Sequence, residues 1–288
     1  MKNSKARKAP PKHIECIKRR RSPIITAEGK EVAVWELSVP ENESLLSGWA
    51  KSFREHYCLD SEIDALRAGT GLSRKDYLIN IIFPDKSIAP GPSIRAGDFA
   101  EILVNDYLEY ILDYWVPREK YAEKATRNES IKGVDTLGFF LQEPQTPSAK
   151  DTLIAFEVKA QLTGNRYLNR LQDAIKDSSE DLVRRAYSLN ATKRRLRAAG
   201  NLQQALIVQR FQNPTDHPYT FRSGAAAVLC EAAFDEKEIA KSTRGCSQLS
   251  QANQCAREVN ERQEGRCELV VSRRDAAEMF EASEEPLD

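Results

Sequence analysis

The sequence predicts an α/β protein: a mixed sheet flanked by helices, with a small N-terminal extension. Three observations carry this. Residues 151–163, DTLIAFEVKAQLT, are mostly apolar or β-branched and lie between the turn-forming QEPQTPSAK and Gly164-Asn165, which is the pattern of a strand. Residues 94–115 place apolar side chains at 104, 108, 111 and 115, a helical repeat. From 94 onward the segments read helix, strand, strand, strand, helix, strand, with no internal repeat.

Composition sets the class. A chain of 288 residues is long enough to bury a proper core, and 41% hydrophobic with 30% charged residues fits a soluble globular protein. No apolar run approaches the ~18 residues of a membrane span. The basic N-terminus has no apolar core of a secretory signal. Six cysteines (16, 58, 230, 246, 255, 267) without such a signal point to reduced thiols and a cytoplasmic location. Cys246, Cys255 and Cys267 lack the close Cys-x-x-Cys pairing of a zinc knuckle. His13, His56 and His217 stand apart from the acidic constellation described below, which argues against a histidine-metal nuclease. The net charge is zero, but it is unevenly spread. Residues 1–21 carry nine Lys/Arg and one acid, while 258–288 carry ten acids and four arginines. The basic end is either a solvated tail or a nucleic-acid contact.

In order, residues 1–30 read as a flexible basic arm. Residues 31–92 read as an N-terminal α/β region packing on the core, with a strand at 31–39, an amphipathic helix at 44–57, a buried strand or helix at 77–83 and a proline-rich connector at 84–92 that marks a soft boundary. The GTGLSR of 69–74 lacks the Gly-Lys-Ser/Thr ending of a phosphate loop and reads as a turn. The core spans 93–272. After its first helix come expected strands at 121–127, 131–143 and 151–163. A long helix is expected over 165–199, ended by Gly200-Asn201, then strands at 202–211, 219–234 and 267–272. A polar segment, 243–266, precedes the last of these strands, and an acidic helix covers 273–288.

Alternate side chains of a strand face opposite ways. In 151–163, Ile154, Phe156, Val158 and Ala160 share one face, and Ala155, Glu157, Lys159 and Gln161 share the other. Acid-x-Lys occurs three times, at 28, 157 and 235, but only Glu157-x-Lys159 lies in an apolar strand. Burying such charges is costly unless they are paired or hold a metal. Two more acids precede it: Asp135 at a strand start, and Glu101 on the apolar stripe of the first core helix. Glu101 is either a first-turn acid favoured by the helix dipole or a carboxylate aimed inward. Three such carboxylates would suit Mg²⁺ or Mn²⁺ and a phosphate substrate. The basic helical face of Arg184, Arg185, Lys193, Arg194, Arg195 and Arg197 is either solvated or meets nucleic acid or a partner.

The order Gly97-x-x-x-Glu101, Asp135, Glu157-x-Lys159 with Gln161 resembles the PD-(D/E)xK nuclease superfamily, with Val134 where that motif has proline. AGDFAEILVNDYL, KGVDTLGF, AFEVKAQLTG and LQDAIKDSSEDLVRRAYSLN resemble the HamA family, the nuclease subunits of the Hachiman anti-phage defence system. The resemblance implies a restriction-endonuclease-like core and a Mg²⁺-dependent DNA endonuclease partnered by a superfamily-2 helicase, HamB. It implies Asp135 and Glu157 as metal ligands, Glu101 as a metal or water-positioning acid, and Lys159 as the catalytic lysine, with Gln161 as a further member of the motif; Gln161 and the basic face are the candidate nucleic-acid contacts. Two rivals remain: a silent nuclease fold that binds DNA or a partner, and a stand-alone restriction or repair nuclease.

Overall fold

A computed structural model describes residues 9–38, 40, 42–178, 182–246, 266–272 and 276–284. Its centre is β5 (Thr152–Gln161), the strand expected at 151–163. It pairs antiparallel with β4 (Thr136–Phe140) and parallel with β6 (Thr220–Cys230). β6 continues in parallel to β7 (Arg266–Ser272), and β7 in parallel to β3 (Glu31–Leu37). Two short strands, β1 (Ile17–Arg19) and β2 (Ile24–Ile25), pair antiparallel with β3. The sheet is therefore mixed, in the order β1-β3-β7-β6-β5-β4.

Helices cover both faces. On one side α4 (Gly91–Asp106) packs on Ile154, Phe156 and Val158 of β5 and Ala226 and Val228 of β6, with α1 (Glu43–Arg54) and α9 (Ala276–Ser283) in the same apolar cluster. Two short helices, α2 (Ile63–Arg67) and α3 (Arg74–Tyr77), lie between α1 and α4 in the chain. On the other side α5 (Arg170–Ser178) and α8 (Glu236–Ser242) cover Ala225, Ala227 and Leu229 of β6. α6 (Leu182–Ala198) and α7 (Leu202–Arg210) cover Leu153 and Ala155 of β5. The period-2 split of β5 is thus real, and α4 lies on the face opposite Glu157. No helix among the described residues is long and apolar enough to cross a membrane.

Several expectations are corrected. From residue 9 the arm is folded, not flexible: Lys12–Cys16 is a 3₁₀ turn, β1 follows it, and His13, Cys16 and Ile17 are buried. Its basic residues mislead because Lys18 and Arg19 face water on a short strand, as charges commonly do at sheet edges. Across the connector at 84–92 the N-terminal region packs on the core, in one apolar cluster that runs from Cys16 to Phe280. Residues 78–82 resolve the strand-or-helix choice as a π-helical turn. Residues 121–127 hold a 3₁₀ turn, Tyr121–Glu123, instead of a strand. Residues 202–211 form α7, because Ala205, Val208 and Phe211 are buried at helical spacing. Of the helix expected over 165–199, Arg170–Ser178 (α5) and Leu182–Ala198 (α6) are helical, and residues 179–181 between them lie outside the described residues. Residues 1–8, most of the polar 243–266 segment with Cys255, and 285–288 lie outside the described residues.

Candidate active site

Two glycines let the central strand carry its charges. At Gly224 of β6 an added Cβ would lie 2.4 Å from the Phe156 ring, so only glycine lets that ring lie against the neighbouring strand. Phe156 in turn precedes Glu157, which is buried at 2% exposure. At Gly133 the backbone takes φ +121°, and a Cβ there would meet the Ser188 hydroxyl at 2.6 Å. This turn sets the direction in which Asp135 enters β4.

The turn is held from α6. The Val134 N–H donates to Ser188 Oγ at 2.8 Å, and Arg184 donates to the Gly133 carbonyl at 2.8 Å. Asp135 then reaches across to β5, where its Oδ2 accepts the Val158 N–H at 2.8 Å. Val158 is the residue between Glu157 and Lys159, so this bond fixes Asp135 beside both. All three side chains line one cleft of about 630 Å³, together with Lys132, Asp177, Arg184, Tyr187, Asn190, Ala191 and Arg194.

Each charge on β5 has a protein counter-charge. Arg184 Nη2 lies 2.9 Å from Glu157 Oε1. Lys159 Nζ lies 2.6 Å from Asp177 Oδ2. Burial works against the Lys159 ammonium, but the Asp177 hydrogen bond and the charges of Asp135, Asp177 and Glu157 outweigh it, so the pKa rises. Lys159 is therefore a cation at neutral pH.

Glu101 is held apart from this set. Its Oε2 accepts from Lys120 Nζ at 2.6 Å and from the Tyr121 hydroxyl at 2.8 Å. Burial raises its pKa, opposed by Lys120 and reinforced by Asp135. The same Lys120 ammonium donates to the Asp135 carbonyl at 2.8 Å. Glu101 thus reaches Asp135 through Lys120, as the counter-ion of a clamp on the backbone. Among the described residues, no three Asp, Glu, His or Cys side chains converge closely enough to hold one ion. Of the three expected carboxylates, Asp135 and Glu157 line the cleft and Glu101 does not.

Gln161 also leaves the set. Its Nε2 donates to the Arg166 carbonyl at 2.6 Å and its Oε1 accepts the Leu168 N–H at 3.0 Å, so the amide secures the loop after β5. The basic face divides. Arg184 and Arg194 line the cleft. Arg185 stacks over Phe221 at 4.2 Å, Lys193 donates to Gln212, and Arg195 pairs with Glu123 at 3.1 Å. Arg197 is exposed outside the cleft lining.

Sequence reasoning missed Lys120, Tyr121 and Asp177, whose roles come from tertiary contacts. It also passed over Tyr187, one aromatic residue on an otherwise basic helix face that lines the cleft.

The HamA family model matches residues 12–264, most of the 288-residue chain. No curated protein matches it. Since the matched span contains every residue of the cleft, from Ser130 to Arg194, the chain belongs to the HamA family.

Proposed function

We propose that this chain is a metal-dependent DNA endonuclease, the effector of a Hachiman-type anti-phage complex that includes a superfamily-2 helicase, HamB. One observation carries the reading: Asp135, Glu157 and Lys159 line a single open cleft, joined through the backbone of Val158.

The donor set fits a hard cation. Two carboxylates, with the Val158 carbonyl between Glu157 and Lys159, offer oxygen alone, and Mg²⁺ or Mn²⁺ takes one or two carboxylates with water and phosphate oxygens. Bound there, the ion would acidify a water and offset charge on the scissile phosphate. The chain's own residues do the remainder. Lys159 is charged and meets the phosphate oxygen or the attacking water, stabilising negative charge as it builds. Asp135 is kept in register by the Val158 N–H and by Lys120 on its carbonyl. Arg184 bridges Glu157 and the Gly133 carbonyl, fixing the approach of α6 to the sheet.

The test is cleavage of plasmid and single-stranded DNA with Mg²⁺ or Mn²⁺, with and without the helicase partner. Lys159→Ala and Glu157→Gln are expected to lose at least about 10²-fold in rate while keeping their melting temperature. Wild-type rates in either variant would refute the site. A second reading has its own observation: Glu157 and Lys159 both have protein partners, Arg184 and Asp177, as a silent binding module would require. That reading predicts no Mn²⁺ binding by calorimetry and DNA binding without cutting.

A further inference from the structure

The rim of the cleft carries an aromatic ring that the fold does not use. Tyr187 is 69% exposed, and among the described residues it has no ring contact and no hydrogen bond. A single exposed tyrosine is ordinary, but the position of this one is not. Arg184, Tyr187, Ala191 and Arg194 follow one another at helical spacing on α6, and all four line the cleft of Asp135, Glu157 and Lys159. Ala191, one turn beyond Tyr187, leaves the ring face clear of bulk on that side.

The lining has four cations, Lys132, Lys159, Arg184 and Arg194, against three carboxylates, Asp135, Glu157 and Asp177. Those cations, with a divalent ion on the carboxylates, would attract phosphate in a single strand and in a duplex alike. Tyr187 offers what charge does not, an aromatic face on which an unpaired base can stack.

We infer that the cleft takes DNA as an unpaired strand, with one base seated on the Tyr187 ring and neighbouring phosphates near Arg184 and Arg194. In a duplex the base faces are already stacked on one another, so the ring could reach one only after the base had been extruded. The inference rests on the nuclease reading above and names its substrate as single-stranded or locally opened DNA.

The experiment uses the full chain with Ca²⁺ in place of Mg²⁺ and a single-stranded DNA of about 12 nucleotides, beside its duplex. Fluorescence anisotropy gives the affinities, and 5-iododeoxyuridine in the strand gives photocrosslinks that mass spectrometry locates. The single strand is expected to bind more tightly than the duplex. Tyr187→Ala should weaken single-strand binding about tenfold or more, while Tyr187→Phe keeps it. The crosslink should fall on Tyr187. Unchanged single-strand affinity in Tyr187→Ala, or equal losses for single strand and duplex, overturns the inference, and the nuclease reading survives if the wild type still cuts in Mg²⁺. A wild-type chain that neither cuts nor binds any DNA removes both.

Discussion

Lys159 and Asp177 show how one contact sets a chemical property. The Asp177 carboxylate, 2.6 Å from Nζ, is the main force holding the ammonium charged against burial. Asp177→Asn removes it, so the Lys159 pKa falls. If cleavage needs the ammonium, the alkaline limb of the pH–rate profile moves to lower pH in that variant, and an unmoved limb would mean that Lys159 does not act as a cation. Gly224 makes a purely structural demand. Gly224→Ala drives a methyl into the Phe156 ring and should cost about 1–3 kcal/mol, read as a lower melting temperature. At this scale the sequence was informative for β5, because an alternating pattern lies within a few neighbouring residues. It was silent on Asp177 and Lys120, whose partners lie 18 and 19 residues away in the chain. For Glu101 and Gln161 it left the direction open and did not show the partners: Glu101 meets Lys120 and Tyr121, and Gln161 the backbone of Arg166 and Leu168.

Between elements, the first turn of the chain is tied to α4 by a buried ionic network. His13 Nε2 lies 2.8 Å from Asp106 Oδ2, and Arg118 reaches Asp106 Oδ1 at 2.9 Å. Arg118 Nη1 also approaches His56 Nε2 at 3.3 Å, which assigns the imidazole proton to Nδ1. Burial, helped by the Arg118 charge, lowers the His56 pKa to about 3. The unfolded chain therefore binds a proton, near the ordinary histidine value of about 6.5, that the folded chain refuses. Stability contributed by His56 is complete above that value and is lost as pH falls from there toward 3. His56→Gln should flatten the dependence of melting temperature on pH across this window; an unchanged slope would exclude His56 as its source. Elements were hardest to read from sequence where local signals conflicted. LQQALIVQRF contains the β-favouring pair Ile207-Val208, yet packing of Ala205, Val208 and Phe211 makes it helical.

For the whole molecule, the α/β class, the mixed sheet and the helices on both faces were legible in the order of segments, but the closure of the sheet was not. β3 belongs to the same sheet as β5 only because β7 lies between β3 and β6. No local pattern announces a pairing of Ala33 with Glu268. α9 completes the same join. Phe280 packs against Phe53, Tyr57 and Phe83 at ring distances of 5.0, 5.8 and 5.2 Å, and Ser283 Oγ donates to the Ala50 carbonyl at 3.1 Å. A chain ended before residue 266 loses both, so it should fail to give a cooperative unfolding transition. Native-like melting of that truncated chain would show that the first hundred residues need neither.

During synthesis, β3 leaves the ribosome long before its neighbour β7 exists. At about 5–20 residues per second, the wait is on the order of ten seconds or more. Throughout it, EVAVWEL is a nascent strand with Val32, Val34 and Leu37 bare and, among the described residues, only the short β1 and β2 to pair with. Such a segment invites pairing with other chains unless charges interrupt it, and Glu31 and Glu36 stand near its two ends. The parallel join of β3 to β7 thus leaves this early strand the longest wait for its neighbour in the sheet.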